Sequence, residues 1–249
     1  MMSNETREAR SSATFVQLVN TLVGEFDLIE VLTILTARSV DVLDASAAGI
    51  LLADPQHRLR VMAASSEQIE LLELFQVQND EGPCLDSYQS GQVVAAEDLR
   101  RDDRWPAFAP ECVAAGFPSV VAVPLRLETR RLGCLNLFMA EPTPRSDADH
   151  SLALAFADVA TITIVQDEAR RAAAIREATL QHALDSRIAI EQAKGMIAQS
   201  TGGDMDAAFA QLRSYARNNN RQLTQVAISI VQGALPLDEV TVPATRRRR

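Results

Sequence analysis

Short apolar runs separated by polar breaks fill the first two thirds of the chain, after which the pattern turns helical and stays so. Phe15, Val16, Val19, Leu22 and Val23 recur at helical spacing over residues 12–24. Asp27 is placed to cap a second helix whose Leu28, Val31, Leu32, Leu35 and Val42 point inward. Residues 47–53 read as a buried strand, Asp54-Pro55-Gln56-His57 as a turn, and residues 58–64 as the returning strand. A helix over 67–77, a loop through Asn79-Asp80-Glu81-Gly82-Pro83-Cys84, a short helix over 85–90 and a strand over 92–96 follow. An acidic, arginine-rich loop leads to Trp105-Pro106, then a helix over 107–115 stopped by Gly116 and Pro118. Residues 119–127 and 131–138, rich in Val and Leu, form the clearest hairpin, joined by 128–130.

From residue 146 the pattern is helical and apolar to 166, and it continues to 200 with no Pro or Gly before Gly195. Such a helix, up to ~80 Å at about 1.5 Å per residue, is too long for one compact domain. Its middle, 167–182, is polar and alanine-rich and reads as a connecting helix or coiled coil, although heptads are weak. After Thr201-Gly202-Gly203, Asp204 caps a helix over 205–217 with Ala208, Phe209, Leu212 and Ala216 on one stripe. Residues 218–221 break it. Thr224 is the expected cap of a helix over 225–232, with Val226, Ala227, Ile230 and Val231 inward, stopped by Gly233 and Pro236.

The 249 residues suit two modest domains. The net charge of −9 is uneven: residues 1–167 carry 12 basic and 25 acidic groups, residues 168–249 carry 12 and 8. An acidic module followed by a basic one argues for two jobs, although Arg246–Arg249 supply all the C-terminal excess. No apolar run approaches the ~20 residues of a membrane helix. Residues 1–10 lack the apolar core of a signal peptide, so the expected location is cytoplasmic. Cys84, Cys112 and Cys134 are far apart and read as reduced thiols, and His57, His150 and His182 form no metal spacing.

Lys194 is the only lysine. It precedes Gly195 and Met196, so there is no Walker A loop, and no kinase-type strand lysine or Schiff-base lysine exists before it. A phosphate-accepting receiver domain is disfavoured for the same reason.

Two sets of motifs carry a resemblance. The first comprises Ala183-Leu184-Asp185-Ser186-Arg187, Ile190-Glu191-Gln192-Ala193-Lys194-Gly195-Met196-Ile197-Ala198, Ala207-Ala208-Phe209, Leu212-Arg213, Ala216, Leu223, Val226-Ala227 and Ile230-Val231. Over roughly residues 177–233 it resembles the ANTAR domain, an RNA-binding module of bacterial antiterminators. The second comprises Glu81-Gly82-Pro83-Cys84, Asp102-Asp103-Arg104-Trp105-Pro106, the strand 119–124 and Leu132-Gly133-Cys134-Leu135-Asn136-Leu137. Over roughly 12–167 it resembles a GAF sensor domain. GAF followed by ANTAR is a regulator architecture found especially in actinobacteria, where an arginine bias is common. The resemblance implies an α+β fold: a GAF-like antiparallel sheet flanked by helices, a long connecting helix, and a C-terminal three-helix bundle. The expected organisation is a flexible N-terminus 1–11, a sensor 12–167, a helical linker 168–183, an RNA-binding domain 177–233 and a disordered basic tail 234–249. It further implies a non-enzymatic, homodimeric antiterminator that binds paired hairpins in nascent transcripts and affects RNA polymerase only indirectly.

On the first helix of the C-terminal module, Arg187, Glu191 and Lys194 share a face, opposite a packing stripe of Leu184, Ile188, Ile190, Ala193 and Ile197. The plain alternative for that triplet is an exposed, ion-paired face. Gly195 costs about 1 kcal/mol of helix propensity relative to Ala, which suggests that another backbone approaches it. Arg213, Arg217 and Arg221 add positive charge, while Gln192 and Asn219 have the amides that read base edges in RNA loops.

The sensor's ligand is not legible. The lysine of the cyclic-nucleotide GAF motif is missing, Cys84 has no neighbouring histidine for a bilin, and His57 and His150 lie in a turn and at a helix start, which disfavours haem. A small molecule of unknown identity and a redox signal both remain. Cys84 precedes a helix whose N-terminus is expected to lower the thiol pKa, although a small packed residue is the plainer role. Trp105 and Phe108 either line a ligand pocket or close the core. Two competing readings are a DNA-binding regulator and a thiol enzyme resembling the free methionine sulfoxide reductases. The first suffers because helix 225–232 has no basic residue to enter a groove. The second requires two cysteines to converge on one pocket.

Overall fold

The computed structural model describes residues 12–18, 20, 24, 26–142 and 145–241. The expected flexible N-terminus, 1–11, and the Arg246–Arg249 tail lie outside them. The chain forms two compact units, residues 1–169 and 170–249.

In the first unit residues 12–18 are helical, and Phe15 meets Phe156 with ring centroids 5.1 Å apart. Helix α1, Leu28–Leu43, starts where Asp27 Oδ1 accepts the Glu30 N–H at 3.0 Å. Strands β1 (Ala47–Ala53) and β2 (Leu59–Ala64) form the first hairpin, its turn held by Asp54 Oδ1 accepting from the backbone of Gln56 and Arg58. Helices α2 (Glu67–Asn79) and α3 (Pro83–Ser90), strand β3 (Val94–Ala96), a 3-10 turn (Leu99–Arg101) and α4 (Phe108–Ala114) follow. Strands β4 (Ser119–Leu127) and β5 (Arg130–Met139) complete an antiparallel sheet of order β2-β1-β5-β4-β3.

Helix α5 runs unbroken over Asp147–Thr201, 55 residues. Ser146 and Asp149 open it by reciprocal capping: Ser146 Oγ accepts the Asp149 N–H at 3.2 Å and Asp149 Oδ2 accepts the Ser146 N–H at 3.0 Å. The helix corrects the expectation that no apolar stretch is long enough for a membrane: an 18-residue window has a mean hydropathy of 1.4. Much of that apolar character is used internally, because Ala153, Phe156, Ala157, Ala160 and Ile164 are buried in the first unit's core.

The sheet is covered on both faces. Val121, Val123, Leu125, Leu135 and Leu137 meet α1 and the start of α5; Val120, Ala122, Cys134 and Phe138 point to the other face, against α2, α3 and α4. Alternation is therefore real but invisible in the sequence, since both sets are apolar. Gly133 lets β5 lie close to β1: a Cβ there would stand 2.0 Å from the Leu51 carbonyl oxygen.

In the second unit the last turns of α5 pack against α6 (Met205–Asn218), α7 (Leu223–Val231) and α8 (Leu237–Thr241) through Ala193, Ile197, Ala208, Leu212, Val226 and Ile230. Four details depart from expectation. The disordered tail expected from residue 234 instead begins with α8, because Leu235 and Val240 have apolar side chains that complete this core. Helix α7 starts at Leu223 after Gln222, with no side-chain cap, so Thr224 lies inside it. Val231 is 37% exposed, because it falls off the stripe occupied by Val226, Ala227 and Ile230. Leu184 and Ile188 are exposed, and Ala189, the residue after Ile188, takes the inward position. The Asp204 cap is present, Oδ1 accepting the Ala207 N–H at 2.7 Å. Asp204→Ala is expected to destabilise α6 by about 1 kcal/mol, visible as a lower urea midpoint for loss of helical ellipticity.

Candidate functional site

The face of the sheet under α2 and α3 holds a closed polar network. Ile69, Leu72, Glu73 and Gln76 form the buried stripe of α2, so a carboxyl and an amide sit where apolar residues are usual. Glu73 is fully buried, its two carboxyl oxygens 2.7 and 2.8 Å from Asn136 Nδ2 on β5. Gln76 Nε2 donates to Glu73 Oε2 at 2.8 Å, and Gln76 Oε1 accepts the Cys84 N–H at 3.1 Å. Space for these groups comes from two glycines. A Cβ at Gly49 would stand 2.4 Å from Glu73 Oε1, and one at Gly82 would stand 2.2 Å from Gln76 Oε1. Burial raises the Glu73 pKa to about 8, against the opposing effect of the Asn136 and Gln76 hydrogen bonds. Sequence reasoning assigned no role to Glu73, Gln76 or Asn136. Nothing local marks them: apolar residues lie on both faces of this helix, with Leu71 and Leu74 exposed, so the sequence alone does not show which face is buried.

Cys84 opens α3 beside this network and is completely buried, as is Cys134, whose Sγ donates to Asn136 Oδ1 at 3.3 Å. The two thiols share a small core with Leu51, Leu59 and Ala122. The expectation of a lowered Cys84 pKa is corrected: burial pushes the thiol up, reinforced by the neighbouring Cys134. Loss of hydration outweighs the partial charge of one helix end. Cys112 is pushed up to about 12, again by burial. Two cysteines thus converge, as a thiol enzyme would need, but in closed core.

Trp105 and Phe108 also lie in the interior, packed with Ile69, Leu99 and Phe138, so they fill the space that a pocket around them would occupy. The GAF-like motifs around them are structural fasteners. Glu81 Oε1 accepts from the N–H groups of Ala107 and Phe108 at 2.7 and 2.9 Å, tying the loop before α3 to the start of α4. Trp105 Nε1 donates to Asp86 Oδ2 at 2.9 Å; Arg104 pairs with Asp102, donates to the Ala95 carbonyl at 2.8 Å and lies 4.2 Å over the Trp105 ring.

In the second unit Lys194 is largely enclosed. Its Nζ is 3.0 Å from both Glu191 carboxylate oxygens and 5.5 Å from the Phe209 ring centroid, with its side chain 16% exposed. The Glu191–Lys194 part of the triplet is therefore an ion pair that also packs α5 on α6. Arg187, Arg213 and Arg217 are exposed, and among the described residues none of them has an ion-pair partner. Arg213 and Arg217 share one face of α6 at i, i+4 spacing. Gln192 is exposed, and among the described residues nothing beyond its own turn of helix lies within 4 Å of where a Gly195 Cβ would stand. Arg221 donates to Ser229 Oγ at 3.0 Å and Asn219 Nδ2 to the Tyr215 carbonyl at 2.9 Å, so both are engaged within the unit.

Comparison with known proteins bears on both units. A GAF domain family model matches residues 27–165 and an ANTAR domain model matches residues 178–231. No curated protein matches the chain. The first unit's fold is similar to the GAF domain of a phosphoenolpyruvate-protein phosphotransferase from Coxiella burnetii, with TM-score 0.55 and 16% identity over 66% of this chain and 98% of that one. It is also similar to the free methionine-R-sulfoxide reductase of Neisseria meningitidis solved with its substrate, with TM-score 0.51 and 16% identity over 65% and 91% of the two chains. A third, the GAF domain of the Acinetobacter phosphoenolpyruvate-protein phosphotransferase, has TM-score 0.50 and 17% identity over 64% and 95%. At these identities the likeness is one of fold. The two family models account for both units in order, and the chain belongs to the GAF–ANTAR regulators, a GAF sensor domain followed by an ANTAR RNA-binding domain.

Proposed function

We propose that this chain is a cytoplasmic, signal-responsive transcription antiterminator whose ANTAR domain holds hairpins in nascent RNA. RNA polymerase then feels the protein only through the folded state of its transcript. The observation that carries this reading is the exposed set Arg187, Arg213 and Arg217 within the ANTAR match, without ion-pair partners among the described residues, with open space above Gly195. Such arginines supply phosphate contacts, and Gln192 is the nearest base-reading amide. Lys194 contributes by releasing Glu191 when a phosphate arrives. Two copies reading two hairpins fit the apolar residues left uncovered on α5: Ile175, Leu180, Leu184 and Ile188 are 55–68% exposed.

A gel-shift series at fixed salt tests this with hairpin RNA, a loop-scrambled hairpin and duplex DNA. Preference for the intact hairpin is expected, and equal shifts on all three would reduce the activity to nonspecific phosphate binding. Arg213→Ala with Arg217→Ala should make the salt dependence shallower by about 1.5–2 in log–log slope. Gly195→Ala is the more telling variant. It should gain about 1 kcal/mol of helix stability yet bind the hairpin more weakly, because its methyl occupies the open approach.

A further inference from the structure

We propose that a cleft of about 740 Å³ between the β1–β2 turn, the end of α3 and the β4–β5 turn binds a small organic anion, a carboxylate or phosphate on a compact apolar body. The proposal deepens the reading of the first domain as a sensor and rests on it. The volume is in the range of small-molecule sites, and the walls combine apolar groups (Leu52, Pro55, Leu132, Ile164) with a few polar ones, as such sites do.

Charge selects the ligand. Residues 1–167 carry 12 basic against 25 acidic groups, yet positive charge gathers around this cleft. Asp54, on its rim, is matched by both Arg58 and Arg60 at 3.1 Å. Arg131 donates to the Gln89 carbonyl and, among the described residues, has no carboxylate partner. Arg130 is the key group. Its two terminal nitrogens donate to the two carboxylate oxygens of Glu168 at 2.7 and 2.6 Å, the forked geometry in which guanidinium recognises carboxylates and phosphates. Glu168 thus stands where a ligand's anionic group would bind. Both side chains are about half exposed, so the pair is readily exchanged. His57 Nδ1 and the Tyr88 hydroxyl, 3.4 Å apart, supply further polar groups in the same cleft. A ligand that takes Arg130 from Glu168 removes the tie between the β4–β5 turn and α5 one residue before the first unit ends at Ala169, while the buried contacts of α5 nearer its start stay in place.

The test uses the full chain, isothermal titration calorimetry, and four probes: benzoate, hexanoate, phenyl phosphate and inorganic phosphate. Saturable binding of an organic probe is expected, lost in Arg130→Gln and several-fold tighter in Glu168→Gln, which removes the resident competitor. Circular dichroism confirms that both variants fold. Preference between benzoate and phenyl phosphate identifies which anion the site takes. Equal affinity for inorganic and phenyl phosphate overturns the apolar half of the proposal. No saturable binding to the parent or to Glu168→Gln, or binding unchanged in Arg130→Gln, overturns all of it. Hairpin RNA binding by the same samples is measured separately, so failure here is distinguishable from failure of the antiterminator reading.

Discussion

Gly133→Ala is expected to destabilise the GAF domain by about 3 kcal/mol or more, a large part of the stability of an ordinary domain. The added methyl would stand 2.0 Å from the Leu51 oxygen, 3.0 Å from the Leu51 carbonyl carbon and 2.9 Å from Leu52 Cδ2. The first two are backbone atoms of β1, paired to β5 over Ala47–Leu52, so no side-chain rotation relieves the clash. Strand β5 is central, with β1 on one side and β4 on the other, and a shift there disturbs both ladders. A urea titration followed by circular dichroism reads the effect. A midpoint equal to the parent's would mean that the strands move apart at little cost, and the close-approach argument would fail.

The second large effect is on pH dependence. Glu73 titrates near 4.5, the ordinary value for a glutamate, when unfolded and at about 8 when folded. Between those values the native state holds one proton more than the unfolded state, so stability falls as pH rises. The contribution is fully present below about pH 4.5, declines through pH 8 and is flat above. At about 1.4 kcal/mol per pH unit, a shift of this size is worth a few kcal/mol. Glu73→Gln keeps the shape and removes the charge, so its melting temperature should lose this slope and exceed the parent's at pH 8.5. Parallel pH profiles for parent and variant would show that Glu73 titrates normally and that the network is more hydrated than its burial implies. Asn136→Leu should act in the opposite sense, leaving a buried carboxyl without its principal donor.

These two sites also mark what the sequence conveyed and where it stopped. Helices and strands with distinct punctuation were readable nearly to the residue: Asp27 and Asp204 cap helices, and β1 and β4 begin and end where their apolar runs do. Less legible was anything that depends on which face a residue takes. Cys84 could be placed at a helix start, but its acidity depends on burial by β4 and β5, far away in sequence. Trp105 and Phe108 could be core or pocket until their neighbours were known. Lys194 was identified as unusual, yet its enclosure by Glu191 and Phe209 requires α6 to be in position. Helix α8 leaves no trace in the sequence because its five residues carry too little periodicity to stand out, although Leu235 and Val240 have a core to enter. The Arg130–Glu168 fork joins residues 38 positions apart and leaves no local trace.

Trp105 is the only tryptophan in the chain, 2% exposed, its indole N–H held by Asp86 and its ring beneath Arg104. Its emission is therefore an intrinsic optical probe confined to one of the two domains. Ellipticity at helical wavelengths sums over both, because each contains several helices. Recording the two signals during one denaturation separates sensor melting from loss of the ANTAR helices without a label. The displacement between the two curves measures how strongly the domains are coupled, and its change on adding RNA or an anion reports whether a signal at one end is felt at the other.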